Sequence, residues 1–179
     1  WDLSKGFTQN TQCGGSPSNE SCFAAYHADR VAIWKRYYDT MQLKSPGTYC
    51  ILEHFAENTE EIELSDYGMM LWGNSNYNFS EASMGSVPTS EFEWYLHMAR
   101  GWSKPHVVGY MESHDEERMM YRNLQFGNTA NASHNVRDLN VALKRIELCA
   151  AFLLAAPGPK MIWQFGELGY DYSINRCVD

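Results

Sequence analysis

The chain reads as an α/β protein, a parallel sheet whose strands are joined by helical crossovers. Short apolar runs alternate with longer amphipathic ones from one end to the other, which is the pattern of repeated strand–helix units. Turn residues such as Ser45-Pro46-Gly47 and Pro157-Gly158-Pro159 separate them. Run after apolar run ends in polar, ionisable side chains, and parallel sheets bind ligands at the carboxyl ends of their strands. Two architectures satisfy this alternation, an open doubly wound sheet and part of a (β/α)8 barrel. A complete barrel typically needs about 250 residues. The 179 residues hold about four and a half units, so length alone favours the open sheet.

Residues 1–5 read as the tail of a strand running into a loop. Residues 7–21, rich in Gly, Ser, Asn, Gln and Thr, make a long surface connection. A helix follows over 24–43, with Ala28, Val31, Trp34, Tyr38 and Met41 at spacings of three and four. Residues 48–52 are a short apolar strand ending at Glu53 and His54. Asn58 or Thr59 caps a short acidic helix that runs to Leu64. A strand over 69–72 leads into a polar loop, 73–90. Ser90 caps a helix over 91–100, with Glu93 completing a capping box. The next strand is 107–111. The longest helix, 136–156, carries a stripe of Val136, Leu139, Leu143, Ile146, Cys149 and Leu153, and a last strand covers 161–164. No internal repeat and no flexible linker interrupts the order.

Composition is that of one globular domain: 44% hydrophobic, 20% charged and 14% aromatic. A net charge of −8 argues against a nucleic-acid partner. No apolar run reaches the ~18 residues that span a bilayer. The opening residues lack the basic start and apolar core of a signal peptide, and a start without methionine reads as an excised piece. Of five cysteines, Cys13 and Cys22 share one polar loop and could pair, Cys50 and Cys149 read as small buried hydrophobes, and Cys177 is near the end. No Cys/His spacing suggests zinc.

The densest chemistry lies in residues 109–128. There a short apolar strand runs straight into Glu112, Ser113, His114, Asp115, Glu116, Glu117 and Arg118. Such a run is either a solvated loop or the rim of a cleft. The other strand ends weigh on the choice, because Asp2, Glu53 and Asp115 stand at equivalent ends and would converge on one face in either architecture. Carboxylates on one rim suit a hard divalent cation or acid/base and nucleophilic work on a glycosidic bond. No P-loop, GxGxxG, DxDxDG loop or GxSxG elbow is present. Trp72, Tyr77, Trp163, Phe165 and Tyr170 near the same ends favour a sugar.

These motifs, in this order, resemble the alpha-amylase superfamily, glycoside hydrolase family 13. WDLSKG resembles the end of the family's fourth-strand motif, ILEHFAEN the fifth-strand motif, YMESHDEE the seventh, and APGPKMIWQFGELGYD the eighth strand with its glycine-rich exit. The resemblance implies that residues 1–179 are the C-terminal half of a catalytic (β/α)8 barrel, from the end of strand 4 through strand 8, lacking its N-terminal half. It implies Asp2 as nucleophile, Glu53 as acid/base with a raised proton affinity, and Asp115 as the third carboxylate. Lys5 and His114 would bind sugar, with Trp72 as an aromatic platform. The substrate implied is an alpha-1,4-linked glucan, hydrolysed with retention by double displacement. Ser113 replaces the common Asn before His-Asp, and this Glu-Ser-His-Asp form also occurs in branching enzymes, so glucan transfer is the alternative. A catalytically inactive carbohydrate-binding fragment is another, and the piece alone is expected to be inactive. Gly6 stands where many amylases have a His whose backbone helps hold calcium, so no residue is assigned to a metal; calcium is an expectation for the complete enzyme only. The family's polymeric substrates lean the location toward secreted or periplasmic.

Overall fold

The structure, a computed structural model, describes residues 1–8 and 19–176. Cys13, Cys177 and most of the connection expected at 7–21 lie outside them. The described chain is α/β, with four strands in one parallel sheet of order β1-β2-β3-β4: β1 (Ile51–Leu52), β2 (Met70–Asn74), β3 (Val107–Tyr110) and β4 (Lys160–Met161). Helices form the crossovers, as expected. Among the described residues no helix is long and apolar enough to cross a membrane. Two compact units are distinguished, Trp1–Trp72 with His97–Val108, and Gly73–Leu96 with Gly109–Asp179.

The first unit is built around Trp34, which is fully buried among Val31, Cys50, Leu52, Leu64, Met69, Leu71, Trp102 and Val107. Trp34 and Val31 sit on the predicted stripe, but the helix expected over 24–43 starts four residues later, as α2 (Ala28–Lys44), and a short helix that was not expected, α1 (Glu20–Ala24), precedes a break at 25–27. Arg30 causes the break. Its guanidinium takes the carbonyls of Phe23 and Ala25, so the chain turns at 25–27 instead of continuing its helical ladder. Helix α3 (Asn58–Tyr67) is longer than expected, and neither Asn58 nor Thr59 caps it; Glu57 holds that position. The Asn58 amide is committed elsewhere, donating to the Arg100 carbonyl and accepting from Trp102 Nε1. Gly68 ends α3 at φ 132°, where a Cβ would lie 2.4 Å from the Tyr38 hydroxyl.

Strands β1 and β2 pair in parallel register, Ile51 with Met70 and Leu52 with Leu71. Leu71 N donates to His106 O, which draws the start of β3 alongside. On the other side of β1, the Trp1 amine donates to Ile51 O, Glu53 N to Trp1 O, and Ser4 N to Glu53 O. The strand tail expected at the start of the chain therefore lies beside β1 before it winds into the 3-10 turn Ser4–Gly6.

The second unit packs around Phe79, Tyr95, Met119, Cys149 and Leu153. Here the sequence reading needs three corrections. The polar stretch expected to be a loop at 73–90 contains α4 (Asn76–Met84). Its inward face carries Asn76, Ser80 and Ser83 beside Phe79 and hydrogen-bonds as much as it packs, so no apolar period marks it. The helix expected at 91–100 is only a 3-10 turn, Glu93–Tyr95, and Ser90 Oγ donates to Val87 O in place of capping. Phe92 stacks on Phe79 at 4.5 Å and Tyr95 donates its hydroxyl to Phe152 O, a pair of anchors that no regular helix is needed to satisfy. A helix not expected, α5 (Met119–Phe126), follows the acidic run and buries Met119, Met120 and Asn123.

Helix α6 (Leu139–Ala155) begins three residues later than the apolar stripe suggests, because Asp138 caps it by accepting from Asn140 N and Val141 N. Cys149 and Leu153 of the expected stripe are buried, together with Ala142. Strand β4 is shorter than expected and pairs in parallel with β3, Gly109 with Lys160 and Tyr110 with Met161. A Cβ at Gly109 would lie 3.1 Å from the Tyr95 ring.

Candidate functional site

In the first unit the backbone bonds beside β1 bring two of the expected acids together. Asp2 lies one residue before Leu3, and Leu3 N donates to Glu53 Oε2 at 3.3 Å. A carboxylate oxygen of Asp2 lies within 4.8 Å of one of Glu53. Asp2 is exposed and Glu53 is buried. Leu3 holds this arrangement in the left-handed region, at φ 42° and ψ 47°, an unusual conformation for a γ-branched residue.

Beneath the pair lies a set of buried polar groups. Ser4 Oγ donates to Glu53 O at 2.8 Å and meets His54 Nδ1 at 2.7 Å. His54 Nε2 meets Glu60 Oε1 at 2.6 Å. Arg30 grips both oxygens of Glu60, through Nε at 2.6 Å and an Nη at 2.8 Å, and His27 N adds a fourth donor at 2.8 Å. Burial alone pushes the Glu60 carboxyl up, but the hydrogen bonds from His54, Arg30 and His27, with the Arg30 charge, bring it down to about 2. Of this set the sequence reading singled out only His54. Arg30 and Glu60 leave a faint signal: each falls within four residues of a core anchor on its own helix, Trp34 or Leu64, where a lone surface charge is not needed.

Lys5, expected to bind sugar, is buried and its ammonium pairs with Glu20 on α1. The carbonyls of Ser4 and Lys5 accept from Trp34 Nε1 and from the Arg30 guanidinium, and Gly6 brings no side chain. Both carbonyls of the turn are thus engaged by buried donors of α2. Trp72, the expected platform, is half-buried near the end of β2.

No family model matches the chain. No curated protein matches it either. The functional reading therefore stands on geometry.

In the second unit the acidic run is neither uniformly solvated nor uniformly a rim. Glu112, Ser113 and Arg118 are buried, while His114 and Asp115 are exposed. Glu112 accepts from Met119 N at 2.7 Å and from Arg118 at 3.2 Å, which pins the start of α5. Burial pushes the Glu112 carboxyl up, against the lowering effect of those two partners. A Cβ at Gly166 would lie 2.6 Å from Glu112 Oε2, so the glycine-rich exit of β4 passes close because it has no side chain there. Ser113 donates to Glu116, which also accepts from Asn74. That leaves His114 and Asp115 at the crest of the run, with Nε2 and Oδ1 3.6 Å apart and the imidazole 5.8 Å from the Trp163 ring. Phe165, Tyr170 and Tyr172 form a line of tilted rings of their own, 6.0 and 5.5 Å apart.

An apolar cavity of about 360 Å³ opens beside Glu112 and is walled by Met111, Met120, Leu143, Ile146 and Trp163. Neither His114 nor Asp115 of the same unit lines it.

Proposed function

We propose that this chain is the C-terminal half of an amylase-type (β/α)8 barrel that, in the complete enzyme, cleaves alpha-linked glucan with retention of configuration. The observation that carries the reading is the approach of the Asp2 and Glu53 carboxylates to within 4.8 Å. Retaining glycosidases hold their two carboxyl groups about 5–5.5 Å apart, whereas inverting ones leave roughly 6.5–9.5 Å for a water. The parallel order of the strands, with the Trp1–Ser4 segment beside β1, supports a barrel wall of successive strands.

Exposed Asp2 attacks the anomeric carbon. Glu53 gives a proton to the leaving oxygen as that bond breaks, and then takes one from the incoming water as the water displaces Asp2 from the anomeric carbon. Asp115 and His114 hold sugar hydroxyls near the charge that develops on the ring, and Trp72 supplies an apolar face. No step uses a metal. The disulfide at Cys22 supports an oxidising location outside the cytosol, and the net charge of −8 suits a neutral polysaccharide better than a polyanion.

The test is Asp2→Asn in the complete enzyme with starch or glycogen. Turnover falls to background while the far-ultraviolet circular dichroism stays unchanged; retained turnover removes the assignment. Product analysis then settles the class of reaction: free reducing ends mean hydrolysis, and new branch points mean transfer.

A further inference from the structure

We propose that the buried set Arg30, Glu60, His54 and Ser4 is a positioning device that fixes the spacing of the Asp2 and Glu53 carboxylates; the proposal rests on the retaining reading above. Its ends are attached to both acids. Ser4 follows Asp2 by two residues and bonds the Glu53 carbonyl, while His54 is the next residue after Glu53. Between these ends the side chains form one continuous line: hydroxyl, imidazole, carboxylate, guanidinium. The line is then closed, because Arg30 also donates to the Lys5 carbonyl and Trp34 to the Ser4 carbonyl. Both segments that carry the acids are therefore tied to the same two helices, α2 and α3.

Three observations argue for a role beyond holding the fold. Ser4, Arg30, His54 and Glu60 are all fully buried, and buried ionic groups are commonly no more stabilising than apolar groups of the same size. Apolar side chains would have filled this space without the desolvation. The line also lies against strained backbone: Leu3 and Phe55 are both left-handed, at φ 42° and 51°, one beside Asp2 and the other directly after His54. Strain of this kind persists only where the surroundings over-determine it. Finally, every polar atom of Glu60 is engaged and aligned, two donors to each oxygen, which leaves the carboxylate no freedom to let His54 shift.

The experiment uses the complete enzyme with soluble glucan and three variants, Asp2→Asn, Glu60→Gln and Ser4→Ala, at a temperature where circular dichroism shows each folded. Glu60→Gln keeps the shape but replaces one acceptor oxygen with a donor. Ser4→Ala deletes only the hydroxyl and serves if the first variant does not fold. A displacement of about 1 Å at the acids costs on the order of 100-fold, so the expected result is a 10- to 100-fold fall in kcat at a KM changed less than about twofold. A merely structural role would leave kcat per folded molecule unchanged. Wild-type kcat in the folded variants, with Asp2→Asn inactive, overturns the positioning role and leaves the retaining reading standing. An active Asp2→Asn overturns both.

Discussion

Glu60 is fully buried and yet held charged by its donors. Its carboxyl sits near 2 in the folded protein against an ordinary 4.5. A folded-state value below the unfolded one means that the native state binds its proton less readily. The stability it confers is complete above about pH 4.5 and is lost as pH falls toward 2, a change on the order of 3 kcal/mol. Urea unfolding measured from pH 7 down to 2 should show this loss in the wild type and a flatter profile in Glu60→Gln. Equal slopes would mean that Glu60 is not held as described. The strand-end acids were legible in the sequence because their position relative to an apolar run is local information. Arg30 and Glu60 were not, because a charge within a helical stripe reads as surface unless its partner is known, and the partner is 30 residues away.

Elements showed the same division. Helices α2 and α6 were legible because long apolar side chains recur at helical spacing and Pro or Gly stops them. Helix α4 was hidden because its buried face uses Asn76 and Ser83 to meet the Met111 carbonyl and Asn123, and a polar interior face has no hydrophobic period. The expected helix at 91–100 shows the reverse error: a capping-box pattern was present, but aromatic anchors won. The start of α6 offers a direct test. Asp138 accepts from two otherwise unsatisfied amides, so Asp138→Ala should lower stability by about 1 kcal/mol, read as a shift in the thermal midpoint. No shift would show that the cap contributes nothing.

At the level of the whole molecule, the alternation of apolar runs anticipated the parallel α/β sheet and its crossovers, since each crossover needs only a strand-length and a helix-length segment in turn. Alternation does not distinguish a closed wall from an open one, because both share the same repeating unit. In the second unit, Phe152, Leu154, Ile162 and Leu168 are exposed, and among the described residues β4 ends the sheet beside β3. Apolar surface of this kind beside a strand edge promotes association. The 179-residue chain produced alone should scatter light as an oligomer, and Leu154→Glu should shift it toward monomer. A monodisperse wild-type monomer would contradict this.

The four-donor grip on Glu60 also constrains descent. Losing Arg30 strands a carboxylate, losing Glu60 strands a guanidinium, and losing His54 leaves an oxygen and a hydroxyl facing each other across a void. Lineages that diverge from this chain are therefore confined to keeping the whole set or exchanging it together for hydrocarbon, with few viable intermediates between the two.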